Sequence, residues 1–179
     1  MGLVQEFEKE KLIIGVIFAD RAIHDEVLPI LCDRFGEIED MSEEFSFSDD
    51  FSTYYDEELG GKGIRRIYSF KDTVDPEYQA EIKEFTNSVE AKYERRINID
   101  PGFINTGRLM LATTKPVGHR IPLKRGIYTE LTLYWARGAW QRLPWTYRDY
   151  GSERVQKFVT RVRERYLADR RKMRREENE

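Results

Sequence analysis

Leu12-Ile-Ile-Gly-Val-Ile-Phe-Ala19 is a run of strand length with no charged residue in it. A run like this cannot keep one face in water. It predicts a central strand buried on both faces, so other elements must cover it from both sides. It is far too short to cross a bilayer. Asp20 follows as a helix N-cap. Ile23, Val27, Leu28, Leu31 and Phe35 then mark one face of a helix ending at Gly36. Pro29 inside that helix predicts a kink or a later start. His24 is expected on its polar side, at the surface.

Residues 37–58 hold ten acidic residues and no basic one. Phe45 and Phe47 alternate with serines there, which predicts a short strand and then an irregular loop with its aromatics turned inward. The charge reads as a solvated acidic edge or as a surface for a basic partner. The spacing of Asp49, Asp50, Asp56, Glu57 and Glu58 fits no EF-hand. Gly60-Gly61-Lys62-Gly63 lacks the spacing of a phosphate loop, and Ile64 stands where that loop needs Ser or Thr. It reads as a turn into a strand, Ile64 to Phe70.

Asp75-Pro76 starts a helix, with Asp as cap and Pro at the first helical position. Ile82, Phe85 and Val89 form its apolar stripe, and Ile97 to Asp100 is the next strand. The order strand, helix, strand, strand, helix, strand predicts an α+β fold. Its core would be a ferredoxin-like split βαβ unit, a mostly antiparallel sheet with the helices packed on one face. A C-terminal β-hairpin region extends it: His119 to Leu123, a turn at Lys124-Arg125-Gly126, Ile127 to Trp135, then Trp140 to Leu143 after Arg137-Gly138. Thr106 to Lys115 suits a short helix or a strand. Ser152 caps a last helix with the stripe Val155, Phe158, Val159, Val162, Tyr166 and Leu167. One domain, 1–179, is expected, with frayed tails at 1–10 and 169–179.

Composition sets bounds. Forty per cent hydrophobic residues support a packed core, and 35% charged residues predict a heavily charged surface. A net charge of −3 argues against the whole molecule binding polyanions. The single Cys32 cannot form an internal disulfide. Together with the lack of a leader-like or long apolar segment, it predicts a cytoplasmic protein with no membrane association.

The candidate chemistry lies between Ile97 and Tyr150. Asn98 and Asp100 alternate with Ile97 and Ile99, so they share a strand face turned away from the core. Pro101-Gly102 is expected to turn the chain. Thr113, Thr114 and Lys115 supply two hydroxyls and an ammonium. Arg120 and Arg125 suit phosphate or carboxylate ligands. His119 has the chemistry of a general acid or base near neutral pH. Glu130 alternates with Leu131 and would face Asp100 across the sheet. The expected catalytic groups are therefore His119, Asp100 and Glu130. Asp100 and Glu130 are also candidate ligands for a divalent cation such as Mg²⁺. Asn98, Thr113, Thr114, Lys115, Arg120, Arg125, Tyr128, Trp145 and Tyr147 are candidate ligand-binding residues. Trp145, Tyr147 and Tyr150 would stack on a ligand or plug the end of the core. One His and one distant Cys argue against zinc, and no nucleophile elbow occurs.

The ordered set NIDPGF, LATTK, HRIPL, GIYTELTL and WTYRDY, with FSTYYDEELG upstream, resembles the bacterial and archaeal family known as domain of unknown function 4416. The likeness spans nearly the whole chain. It implies an intracellular protein of about this size and no particular reaction. Some members carry a GTP-binding label, which the glycine turn at 60–63 does not support.

Two functions stay open, and the sequence does not decide whether the chain is an enzyme. One is binding or transforming a phosphorylated small molecule or nucleotide at residues 98–130. The other is a non-catalytic module whose acidic stretch 37–58 and basic C-terminal helix dock on a protein partner or a second copy. RNA binding through the aromatic loop and that helix is a weaker third.

Overall fold

The computed structural model describes residues 2–176. Strand β1 (Glu10–Phe18) is buried from end to end, as the apolar run requires. It lies between β4 (Ile64–Val74) and β5 (Ile97–Ile104), antiparallel to both. Strand β2 (Ile38–Met41) pairs with the far edge of β4. Beyond β5 come β6 (Arg108–Thr113), β8 (Tyr128–Ala136) and β7 (Ile121–Pro122), giving the order β2-β4-β1-β5-β6-β8-β7. Two short strands, β3 (Phe45–Ser46) on β4 and β9 (Ala139–Arg142) on β8, complete an open antiparallel sheet. The fold is α+β, as expected.

Alternation along β1 divides the core. Leu12, Ile14, Val16 and Phe18 pack under α1 (Arg21–Phe35) and α4 (Gln79–Lys92). Ile13 turns to the opposite face, where Val155, Phe158, Val159 and Val162 of α5 (Glu153–Glu176) lie. The helices therefore cover both faces rather than one. A central strand that is apolar on both sides leaves no alternative, since either bare face would expose it to water. Two single-turn helices, α2 (Phe47–Asp50) and α3 (Asp56–Leu59), lie in the acidic stretch.

Local chemistry sets several boundaries. The Asp20 side chain accepts from Ala22 N at 2.9 Å to start α1, and Gly36 at φ 90° ends it. The helix continues through Pro29. Arg137 and Gly138, both at positive φ, make the tight hairpin turn between β8 and β9. The ambiguous segment Thr106 to Lys115 contains a strand, β6, over Arg108–Thr113.

Two further expectations are corrected. His24 is not a surface residue: it is 4% exposed. It stacks 4.3 Å from Phe18, with Nε2 2.6 Å from the Tyr68 hydroxyl and Nδ1 2.7 Å from Asp25. Partners on both ring nitrogens let a polar ring sit in the core. Pro101-Gly102 does not turn the chain, because β5 runs through both residues to Ile104. Gly102 serves close packing instead: a Cβ there would lie 2.8 Å from Leu111 and 3.0 Å from Ile13.

Of the tails expected at 1–10 and 169–179, Met1 and 177–179 lie outside the described residues. Glu10 begins β1, and α5 extends to Glu176. Among the described residues no helix is long and apolar enough to cross a membrane.

Candidate functional site at the parting of two strands

Strands β5 and β6 pair only where Gly102–Ile104 meets Leu109–Leu111. Toward Ile97 they separate, and the bare edge of β5 needs other partners. Helix α4 supplies them. Glu90 Oε1 accepts the Ile99 N–H at 2.6 Å, and Lys83 Nζ donates to the Ile99 carbonyl at 2.9 Å. Pro101, two residues on, faces the same edge and has no N–H to satisfy.

A cleft of about 450 Å³ opens at this parting. Ile17 and its cross-strand neighbours Arg65 and Asn98 form one row of the floor, and Gly15 with Asp100 begins the next. The Arg65 guanidinium lies over Gly15, where a Cβ would come within 2.6 Å of Nη2. Arg65 Nη2 donates to the Tyr150 hydroxyl at 3.2 Å, Nε lies 3.4 Å from Asp149, and Nη1 lies 4.0 Å from Asp100. Lys83 holds Asp100 at 3.0 Å and lies 3.9 Å from Glu90. Glu90, Lys83, Asp100, Arg65 and Asp149 thus alternate in charge along the floor.

Burial shifts four groups that line the cleft. It pushes Glu90 up to about 7 against the pull of Lys83. It also raises Asp149, which Arg65 opposes. Tyr147 is pushed up to about 12 by burial and by the Glu130 charge. Tyr55 is raised by burial and by Asp100.

Phe47, Phe51, Tyr54 and Tyr55 line the cleft from the acidic stretch. Lys115 Nζ lies 4.7 Å from the centre of the Tyr54 ring and 3.4 Å from its hydroxyl. Arg148 Nη1 donates to the Phe51 carbonyl at 3.1 Å. Among the described residues neither cation has a carboxylate partner, whereas Arg95 is paired with Glu58 and lies 3.9 Å from Glu90.

Of the residues expected from sequence, Asn98, Asp100, Thr113, Thr114, Lys115 and Tyr147 line the cleft. His119, Arg120, Glu130 and Trp145 gather beside it. Glu130, 1% exposed, accepts from Arg120 Nε at 2.7 Å and lies 3.2 Å from His119 Nε2. His119 stacks on Trp145 at 4.7 Å, and Trp145 Nε1 donates to the Leu131 carbonyl. Arg120 joins the two groups, donating to the Tyr147 hydroxyl at 2.7 Å and the Lys115 carbonyl at 2.8 Å. Arg125 pairs with Glu84 on α4, and neither it nor Tyr128 lines the cleft. Tyr150 is core, 1% exposed. Asp100 is held by Lys83 and lines the cleft, whereas Glu130 is held by Arg120 and is not in its lining. Among the described residues no three His, Cys, Asp or Glu side chains gather to hold a metal.

Sequence reasoning missed Arg65, Lys83, Asn87, Glu90, Arg148 and Asp149. Arg65 carried a signal: it shares strand parity with Ile67, which is buried. Lys83, Asn87 and Glu90 repeat at helical spacing beside the apolar stripe of α4, a pattern that a solvated helix face shows equally well.

The acidic stretch and the last helix face one another. Arg154 pairs with Asp50 at 2.9 Å, and Arg161 and Arg165 pair with Asp40 at 3.2 and 3.6 Å. Glu44 bonds Arg21 and Arg66, and the Arg21 bond foremost holds its carboxyl at about 2.

These features define an α+β protein with an open antiparallel sheet and a charged, aromatic-lined cleft where two strands part. The family described as domain of unknown function DUF4416 matches residues 8–166, and the chain belongs to it. No curated protein matches the chain, and no solved structure does.

Proposed function

We propose that the chain binds a phosphorylated small molecule in the cleft between β5 and β6, with Lys115 and Arg148 taking the phosphate. The observation that carries this reading is that these two cations border the cleft with no carboxylate partner among the described residues. A side-chain cation left uncompensated beside a concave site suits an anionic ligand. The volume lies within the range of small-molecule sites. The aromatic lining suits the apolar or planar part of such a ligand.

The floor supports a chemical role as well as a binding one. Glu90 titrates near neutral pH and lines the same cleft, which is where a general base is useful. In this reading His119, Arg120 and Glu130 position Tyr147 and the Lys115 backbone rather than touch the ligand. Residence in the cytoplasm, expected from the lone Cys32, accords with this reading. So does a ferredoxin-like core, supported by the order β2-β4-β1-β5 with α1 and α4 as the crossings. The interaction-module reading has less support, because the acidic stretch and the basic helix compensate one another.

A thermal-shift series with ribose 5-phosphate, mononucleotides and inorganic phosphate tests the proposal. The melting temperature is expected to rise with ligand concentration. The rise should vanish in a Lys115→Ala, Arg148→Ala double variant. A rise unchanged in that variant, or none with any phosphate compound, contradicts it.

A further inference from the structure

We infer that the inner end of the cleft reads a nucleobase, so that the phosphorylated ligand is a nucleotide; this rests on the phosphate reading above. Asn98 Oδ1 is buried and has no hydrogen-bond partner. Asn87, half-buried on α4 between Lys83 and Glu90, lines the same cleft, and among the described residues its carboxamide has no protein partner. A buried amide oxygen left unpaired is costly, so Asn98 Oδ1 points to a ligand that completes it.

The surroundings narrow the class. Most charge in the floor is engaged by a neighbour, Lys83 by Asp100, Arg65 by Asp149 and Tyr150, Glu90 by Ile99, although Arg65 Nε itself makes no hydrogen bond. The unspent polar capacity includes two carboxamides, each offering a donor pair and an acceptor. That set matches the mixed donor and acceptor edge of a heterocyclic base, which Asn reads bidentately. It does not match a sugar ring held by carboxylates or a second phosphate held by cations. Tyr55 adds a flat aromatic surface to the same cleft, as base stacking requires. The ligand so described carries a planar nitrogen heterocycle at one end and an anion at the other.

Titration calorimetry on the full chain, with adenosine, cytidine, guanosine and uridine 5′-monophosphates, the four nucleosides and ribose 5-phosphate, tests the inference. At least one nucleotide should bind tighter than ribose 5-phosphate by on the order of tenfold or more. Asn98→Leu should erase most of that advantage, and Asn87→Ala, on a helix surface that tolerates truncation, should reduce it. Melting curves without ligand establish that each variant is folded. Ribose 5-phosphate binding as tightly as every nucleotide overturns the base site and leaves the phosphate reading standing. Nucleosides binding as tightly as nucleotides keeps the base site and overturns the phosphate reading. No binding by any of these compounds overturns both.

Discussion

Glu90 accepts the backbone N–H of Ile99 at 2.6 Å, standing in for the strand that β5 lacks at this point. The bond joins helix, sheet edge and cleft, so its removal should be felt in all three. Glu90→Ala leaves a buried N–H unpaired and should destabilise the chain by about 1–3 kcal/mol in urea denaturation. Glu90→Gln keeps an acceptor at the same atom and should lose less.

The same residue sets a pH dependence. Its folded-state value is raised from 4.5 to about 7. Between those values the unfolded chain has released the proton that the folded chain keeps. Folding stability from this group therefore falls as pH rises through that window and levels off above it. Glu90→Gln removes the effect, so its stability relative to the native chain should climb from pH 4.5 to 7 and then flatten. A difference that stays constant with pH would show that Glu90 titrates normally.

Gly15 makes room for the Arg65 guanidinium. A methyl group there would lie 2.6 Å from Nη2 and 3.1 Å from the Tyr150 hydroxyl. Arg65 is fully buried and tied on several sides, so it has little room to yield. Gly15→Ala should destabilise by about 1–3 kcal/mol, as overpacking does. A variant as stable as the native chain would show that the floor can rearrange.

Arg65 and Asp149 should behave as a coupled pair. Arg65→Met leaves the buried Asp149 carboxylate without its cation and should cost about 3–5 kcal/mol. Adding Asp149→Asn should restore part of that loss. Additive losses in a double-mutant cycle would contradict the pairing.

The ion pairs between α5 and the acidic stretch are exposed and should contribute little. Arg161→Ala and Arg165→Ala should each cost less than about 1 kcal/mol, and less still at high salt. A larger loss would mean that these charges hold the helix in place.

How much of this was legible in the sequence follows from what periodicity records. The run at Leu12 gave the central strand, because burial on both faces leaves an unbroken apolar signature. Asp20, Asp75 and Ser152 marked helix starts, because capping chemistry is local. His24 lies three residues before Val27 on the same helical stripe, but its burial depends on the Tyr68 hydroxyl, 44 positions away, together with Asp25, and a distant partner leaves no local mark. The parting of β5 from β6 left no local mark, since it depends on where two distant strands stop pairing. With it the roles of Lys83 and Glu90 stayed hidden. Asn98 and Asp100 are legible because strand alternation fixes a face, and Lys115 because its ammonium follows two hydroxyls, but His119 and Glu130, equally suggestive in sequence, lie beside the cleft and not in its lining.

The central claim is that Lys115 and Arg148 border a site for a phosphorylated ligand where β5 and β6 part. Amide chemical-shift mapping during titration with adenosine 5′-monophosphate tests it most directly. Shifts should concentrate at residues 52–55, 98–100, 113–115 and 147–149, and should be lost in the Lys115→Ala, Arg148→Ala variant. Shifts centred on α5 or the outer edge strands, or a pattern unchanged in that variant, would contradict it.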